Sequence, residues 1–142
     1  MPLKNLNHIL VLARDLEATR TFYVEVLGLR DGPRPPFHFP GHWLYLGDRA
    51  VVHLAAEARG TEDASLGGDG AELADTGSID HIAFEATGLD EMMARLEARS
   101  IPVRHRKVPD AGLHQIFIQD PNGVTLELTY PAAEGAAFDA EP

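Results

Sequence analysis

The chain contains no cysteine. This absence excludes disulfide bonds, thiolate metal ligands and cysteine nucleophiles. Any transition-metal site must therefore be built from imidazole and carboxylate groups. Basic residues are also scarce, because 12 lysines and arginines stand against 22 aspartates and glutamates, which gives a formal net charge of −10. An acidic chain repels the phosphate backbone, so the sequence predicts no nucleic-acid partner.

Long hydrophobic segments are missing as well. The apolar stretch near the N-terminus is interrupted by Arg14 and Asp15. Nowhere does the chain approach the roughly 20 consecutive apolar residues that span a bilayer. We therefore expect a cytoplasmic protein with no membrane partner. A chain of 142 residues with 44% hydrophobic content is long enough for a single domain with a real core.

The sequence contains two copies of one pattern, at about residues 5–56 and 79–130. Each copy predicts a β-α-β-β-β module, and the chain is therefore expected to be an α+β protein. The segments that carry the pattern are LNHILVLA, the helix that follows the N-cap Asp15, HWLYLG and AVVHLAA, then IDHIAFEA, a helix over 89–99, VRHRKV, HQIFIQ and VTLELTY. Residues 57–78 are polar and glycine-rich and predict a linker, and residues 132–142 predict a flexible tail.

Two pairs of polar residues occupy matching positions in the two copies. His8 aligns with His81, and His53 aligns with Glu127. Strand alternation places Glu127 on the face opposite Leu126 and Leu128. A mid-strand imidazole or carboxylate is costly in a core unless it has a polar partner, water or a metal ion. A lone strand histidine usually bonds a backbone carbonyl, but the repetition favours a metal site.

This duplicated pattern resembles the vicinal oxygen chelate superfamily, which includes glyoxalase I, extradiol dioxygenases and the bleomycin and fosfomycin resistance proteins. The stretches that carry the resemblance are LNHILVLARDLEATRTFYVEVLGL, IDHIAFEA and FIQDPNGVTLEL. The resemblance implies that two modules form a curved mixed-sheet cup. It also implies one divalent ion, which is Fe, Ni, Zn, Co or Mn. The implied ligands are His8, His53, His81 and Glu127.

The resemblance leaves three functions open. A lyase or isomerase of the glyoxalase I kind would act on a small carbonyl or hemithioacetal substrate through a metal-bound enediolate, with Glu127 or His53 as the catalytic base. Glyoxalase I usually carries a carboxylate where this chain has His53. An extradiol Fe(II) dioxygenase would use His8, His81 and Glu127 as its facial triad. The third alternative is a non-catalytic drug-binding resistance protein.

Other residues are weaker candidates. Five of them could line a substrate pocket, although aromatic residues in a small domain are more often core: Phe37, Phe39, His42, Trp43 and His114. His38 and His105 are expected at exposed positions. Arg34, Arg104 and Arg106 could meet an anionic substrate or lie solvated at the surface. The expected partners are a small-molecule substrate and, from the resemblance, a second copy of the chain in a homodimer.

Overall fold

A computed structural model describes residues 2–57 and 76–138. The chain divides into two compact units, Met1–Leu73 and Ala74–Pro142. Among the described residues, each unit contains one α-helix and one four-stranded mixed sheet, so the α+β prediction is confirmed. The linker predicted at 57–78 falls mostly outside the described residues.

The first unit follows the order β-α-β-β-β. Its sheet has the strand order β1-β4-β3-β2, in which β1 and β4 are parallel and the other neighbours are antiparallel. Its elements are β1 (Ile9–Ala13), α1 (Leu16–Thr21), a π-helical continuation (Phe22–Val26), β2 (Arg30–Gly32), β3 (Gly41–Leu46) and β4 (Arg49–Ala56).

Local sequence explains where α1 begins and where its π-helical continuation ends. The Asp15 carboxylate accepts a hydrogen bond from the Ala18 amide at 2.9 Å, which is the expected N-cap arrangement. Gly28 follows the π-helical segment with φ of 84°, a left-handed conformation that glycine adopts without strain. The sequence predicted one continuous α-helix here, but the second half is π-helical.

The second unit repeats the topology with the strand order β5-β8-β7-β6, and β5 and β8 are the parallel pair. Its elements are β5 (Ile82–Glu85), α2 (Leu89–Ala98), β6 (Arg104–Val108), a 3₁₀ turn (Pro109–Ala111), β7 (Leu113–Gln119), β8 (Thr125–Pro131) and a 3₁₀ turn (Ala132–Gly135). No helix among residues 2–57 and 76–138 is long and apolar enough to cross a membrane.

Residues 132–138, which belong to the predicted flexible tail, contact the rest of the second unit. The Glu134 carboxylate accepts hydrogen bonds from the Gly88 and Leu89 amides, each at 2.8 Å, at the start of α2. Phe138 stacks on His105 with ring centroids 5.4 Å apart. Residues 132–138 are therefore docked, since a helix start needs acceptors for its free amides and no local side chain caps α2.

Strand alternation gives each sheet two chemically different faces. The core face buries aliphatic side chains, with Leu44, Val52 and Leu54 in the first unit and Ile116, Leu126 and Leu128 in the second. The other face, which we call the site face, carries His53 beside Trp43 and Leu10 in the first unit, as strand register shows. In the second unit it carries Glu127 beside Phe117.

Candidate metal and substrate site

The site face of the first unit carries a column of stacked rings. His8 and His53 stack with ring centroids 3.7 Å apart and planes 9° from parallel. Trp43 stacks on the other side of His53 with a centroid distance of 4.1 Å. Cross-strand pairing of Trp43 with His53 produces this arrangement. The predicted ligands His8 and His53 therefore lie together.

Each of the three predicted ligand histidines uses one ring nitrogen in a local hydrogen bond. His8 Nδ1 donates to Asn7 Oδ1 at 2.7 Å, and His81 Nδ1 donates to Asp80 Oδ2 at 2.7 Å. His53 Nε2 donates to the Ala50 carbonyl at 3.1 Å. A hydrogen bond at one nitrogen fixes the tautomer and leaves the lone pair of the other for a metal or a proton.

Glu127 is buried at 7% exposure, and hydrogen bonds fix one of its two carboxylate oxygens. Its Oε2 accepts hydrogen bonds from Thr129 Oγ1 at 3.0 Å and Gln115 Nε2 at 3.2 Å. Its Oε1 lies 3.3 Å from His81 Nε2, with Arg106 Nη2 at 3.8 Å. Two donors bound to one ion at about 2.1 Å each are about 3 Å apart, so this spacing suits a shared ion.

Burial lowers the pKa of His53 below its ordinary value, and the nearby His8 and Arg34 act in the same direction. A histidine with a lowered pKa is neutral at pH 7. The neutral ring is the form that binds a metal ion or accepts a proton.

Aromatic side chains continue from the stacked rings into a pocket of about 750 Å³ on the first unit. Phe37, Phe39 and Trp43 line it, together with His8 and His53, and their role in binding a substrate stays a prediction. This volume lies within the roughly 300–1,000 Å³ range of ligand pockets.

His42 and His114 lie on the core faces of their strands, so the pocket-lining prediction does not extend to them. His42 directly precedes Trp43 in β3, and alternation turns it the other way. It contacts Glu17 on α1 at 3.2 Å and Asp31 at 3.0 Å. His114 is 1% exposed, and its Nε2 is 2.8 Å from His105 Nδ1.

The four predicted ligands come as two pairs, one from each unit. Across residues 2–57 and 76–138, no group of three or more His, Asp or Glu side chains that could hold a metal ion is present. His8 and His53 form the pair of the first unit, and His81 and Glu127 form the pair of the second. Neither unit alone supplies a full ligand set, and the complete set stays a prediction.

The sequence model of the Glyoxalase/Bleomycin resistance protein/Dioxygenase superfamily matches residues 5–128. The chain belongs to this superfamily. A curated relative named Glyoxylase I 4, from Arabidopsis thaliana, is 30% identical over 129 residues, which cover 89% of this chain and 70% of the relative.

Several solved structures share the fold of this chain. Lactoylglutathione lyase from Agrobacterium tumefaciens has a TM-score of 0.64 at 23% identity, covering 95% of this chain and 99% of its own. TnmS3, an antibiotic binding protein from a Streptomyces species, also has a TM-score of 0.64, at 20% identity, covering 92% and 98%. The expected vicinal oxygen chelate fold is thereby confirmed.

Sequence reasoning missed the residues that orient the predicted ligands. Asn7 and Asp80 directly precede His8 and His81 at matching positions of the two repeats, so the sequence could have identified them as partners of the histidines. The role of Gln115 could not be predicted from the sequence, because its contact with Glu127 depends on the register of β7 against β8.

Acidification should weaken the second unit through His105 and His114. Burial lowers the pKa of both, and the positive charge of Lys107 adds to the effect. The unfolded chain therefore binds more protons than the folded chain below about pH 6.5, and stability falls as pH falls through that region. We expect a lower free energy of unfolding at pH 5.5 than at pH 7.5, measured by denaturant titration with chelator present.

The variant His105→Phe keeps a ring against Phe138 and removes one titrating group. Its loss of stability between pH 7.5 and 5.5 should be smaller than that of the parent. His38→Gln, which changes an exposed histidine, should leave the loss as it is. An equal pH dependence in His105→Phe and the parent would contradict this assignment.

Proposed function

We propose that the protein is a metal-dependent lyase or isomerase of the glyoxalase I kind, acting on a small carbonyl or hemithioacetal substrate. His8, His53, His81 and Glu127 supply the metal ligands. The observation that carries the proposal is the set of local hydrogen bonds, each of which occupies one ring nitrogen of a predicted ligand histidine. The second nitrogen of His81 lies 3.3 Å from Glu127 Oε1, the spacing of two groups that share one ion. The similarity to Glyoxylase I 4 supports the choice of reaction.

The donor set fits a divalent transition metal. Three imidazoles and one carboxylate suit Zn, Ni, Co, Fe or Mn, and the acidic character of the chain favours binding of a cation. The second oxygen of Glu127 is held by Gln115 and Thr129. Such support from neighbouring groups orients a carboxylate and lowers the cost of ordering it on binding.

A bound divalent ion supplies Lewis acidity to a substrate carbonyl oxygen, which makes the adjacent carbon–hydrogen bond more acidic. Glu127 would take that proton if it left the ion, and neutral His53 is the alternative base if it is not a ligand. His8 stacks on one face of the His53 ring and Trp43 on the other, so the two rings shield both faces of His53 from water and hold its orientation.

Metal analysis of the full chain, purified without added metal, tests the proposal. We expect bound Ni, Zn, Co or Mn, a lower melting temperature after chelation, and turnover of the hemithioacetal of methylglyoxal. Bound metal stabilises by about 2.7 kcal/mol when its free concentration is about a hundred times Kd.

Other outcomes select the remaining functions of the superfamily. Tightly bound iron with oxygen consumption on catechols would replace the lyase by an extradiol dioxygenase. No metal, together with no effect of chelator on melting, would exclude both enzymes and favour a drug-binding protein. A homodimer remains part of the proposal, and sedimentation analysis of the metal-loaded chain would test it.

A further inference from the structure

The pocket of the first unit is lined by aromatic side chains and by Arg34, one of whose nitrogen donors has no hydrogen-bond partner among the described residues. Phe37 and Phe39 stack with ring centroids 5.2 Å apart, and Phe37 lies 6.4 Å from Trp43. The guanidinium carbon of Arg34 lies 5.1 Å from the Phe37 ring centre and 5.3 Å from that of Phe39. These contacts fix the plane and position of the arginine head group.

Arg34 has donor capacity that its neighbours do not use. Its Nη2 donates to the Phe39 carbonyl at 3.1 Å. Its Nε is buried and has no hydrogen-bond partner in the part of the chain that the structure describes. A buried donor without a partner is costly, and a carboxylate is the group that best satisfies a fixed guanidinium.

The apolar side of the pocket is accessible. Phe37 is 44% exposed and Leu10 is 40% exposed, and both line the pocket. Large apolar side chains left accessible beside a cavity are typical of ligand sites. Since the nearest rings are flat and polarisable, a planar aromatic group has more to gain here than an aliphatic chain of equal size.

We propose that this pocket takes an aromatic carbonyl compound that carries a carboxylate. Its ring would lie against Trp43 and Phe37, and its carboxylate would bind Arg34. The chain as a whole is acidic, but among the described residues the pocket lining contains two arginines, Arg34 and Arg49, against one carboxylate, Asp48. The carbonyl part of this inference rests on the proposed function, whereas the ring and carboxylate parts rest on the pocket alone.

Three probes separate these contributions in calorimetric titrations of the full chain as purified. Benzoylformate has the ring, the carbonyl and the carboxylate; pyruvate lacks the ring; methyl benzoylformate lacks the charge. We expect benzoylformate to bind at least about tenfold more tightly than pyruvate, which lacks the ring contact. We expect the same margin over methyl benzoylformate, which lacks the charge contact with Arg34. It should also quench the fluorescence of Trp43, the chain's one tryptophan.

Variants assign each preference to a residue. Arg34→Gln should remove the preference for the acid over its ester, and Arg95→Gln, which changes an arginine on α2 bonded to Glu91, should keep it. Trp43→Leu should remove the preference for benzoylformate over pyruvate, and Trp43→Phe should retain most of it. Melting temperatures of all four variants show that the comparisons are made on folded protein.

The inference and the proposed function can fail separately. Equal affinity for benzoylformate and pyruvate, or an unchanged acid preference in Arg34→Gln, would overturn the inference even if hemithioacetal turnover is found. Tight, Arg34-dependent binding of benzoylformate without metal or turnover would uphold the pocket and remove the lyase.

Discussion

Glu127→Gln is expected to lower metal affinity by at least about a hundredfold and to abolish metal-dependent turnover. The substitution keeps the size and planar shape of the side chain but removes the negative charge that a divalent ion requires. Changing a group that only supports a ligand typically lowers metal affinity by about 10- to 100-fold, so we expect loss of a ligand itself to cost at least the upper end of that range. Titration of chelator-treated protein with Zn²⁺ or Ni²⁺ measures the effect.

The controls for this prediction come from both units. His8→Ala should cause a comparable loss of metal affinity, because His8 is another of the proposed ligands. Glu85→Gln should have no effect. Glu85 is an exposed carboxylate on the neighbouring strand β5, where it pairs with Thr129 on the same face. Retention of full metal occupancy in either Glu127→Gln or His8→Ala would refute the ligand set.

Leu126→Ala should lower the stability of the fold and leave metal affinity unchanged, although Leu126 lies next to Glu127 in β8. Leu126 is fully buried at 0% exposure on the core face. Truncating a buried leucine removes transfer free energy and leaves a cavity, which together cost about 2–5 kcal/mol. We expect that loss in denaturant unfolding of the metal-free chain, with metal affinity unchanged in the protein that remains folded.

Leu46→Ala is the matched control for the stability measurement. Leu46 is 52% exposed at the end of β3, and its truncation should change the free energy of unfolding by less than about 0.5 kcal/mol. A cost at Leu126 no greater than at Leu46 would contradict the assignment of the core face. Weakened metal binding in folded Leu126→Ala would contradict the separation of the two faces.

These contrasting variants test what alternation alone can predict. The period of two in VTLELTY separates Glu127 from the leucines on either side. The same rule places His42 and Trp43 on opposite faces of β3. The prediction that both line the pocket did not take this into account. Alternation assigns a face, but it does not say which face is the core unless the apolar residues of neighbouring strands are considered together.

Much of the architecture followed from the sequence because the repeat and its periodicity are local properties. The two β-α-β-β-β modules, the N-cap at Asp15 and the turn glycine Gly28 depend on residues close together in the chain. The pairing of His8 with His53 and of His81 with Glu127 followed from topology, because the first and last strands of each module are neighbours in its sheet.

Only the tertiary structure decided how those residues are held. The docking of Phe138 on His105 and the contact of Gln115 with Glu127 join residues on different elements, and their formation depends on strand register and on where the chain turns back. The unused donor of Arg34 likewise appears only when its surroundings are known. Local pattern thus determined the modules and the ligand candidates, whereas long-range packing determined their orientation, because side-chain partners are not encoded in the periodicity of a single strand.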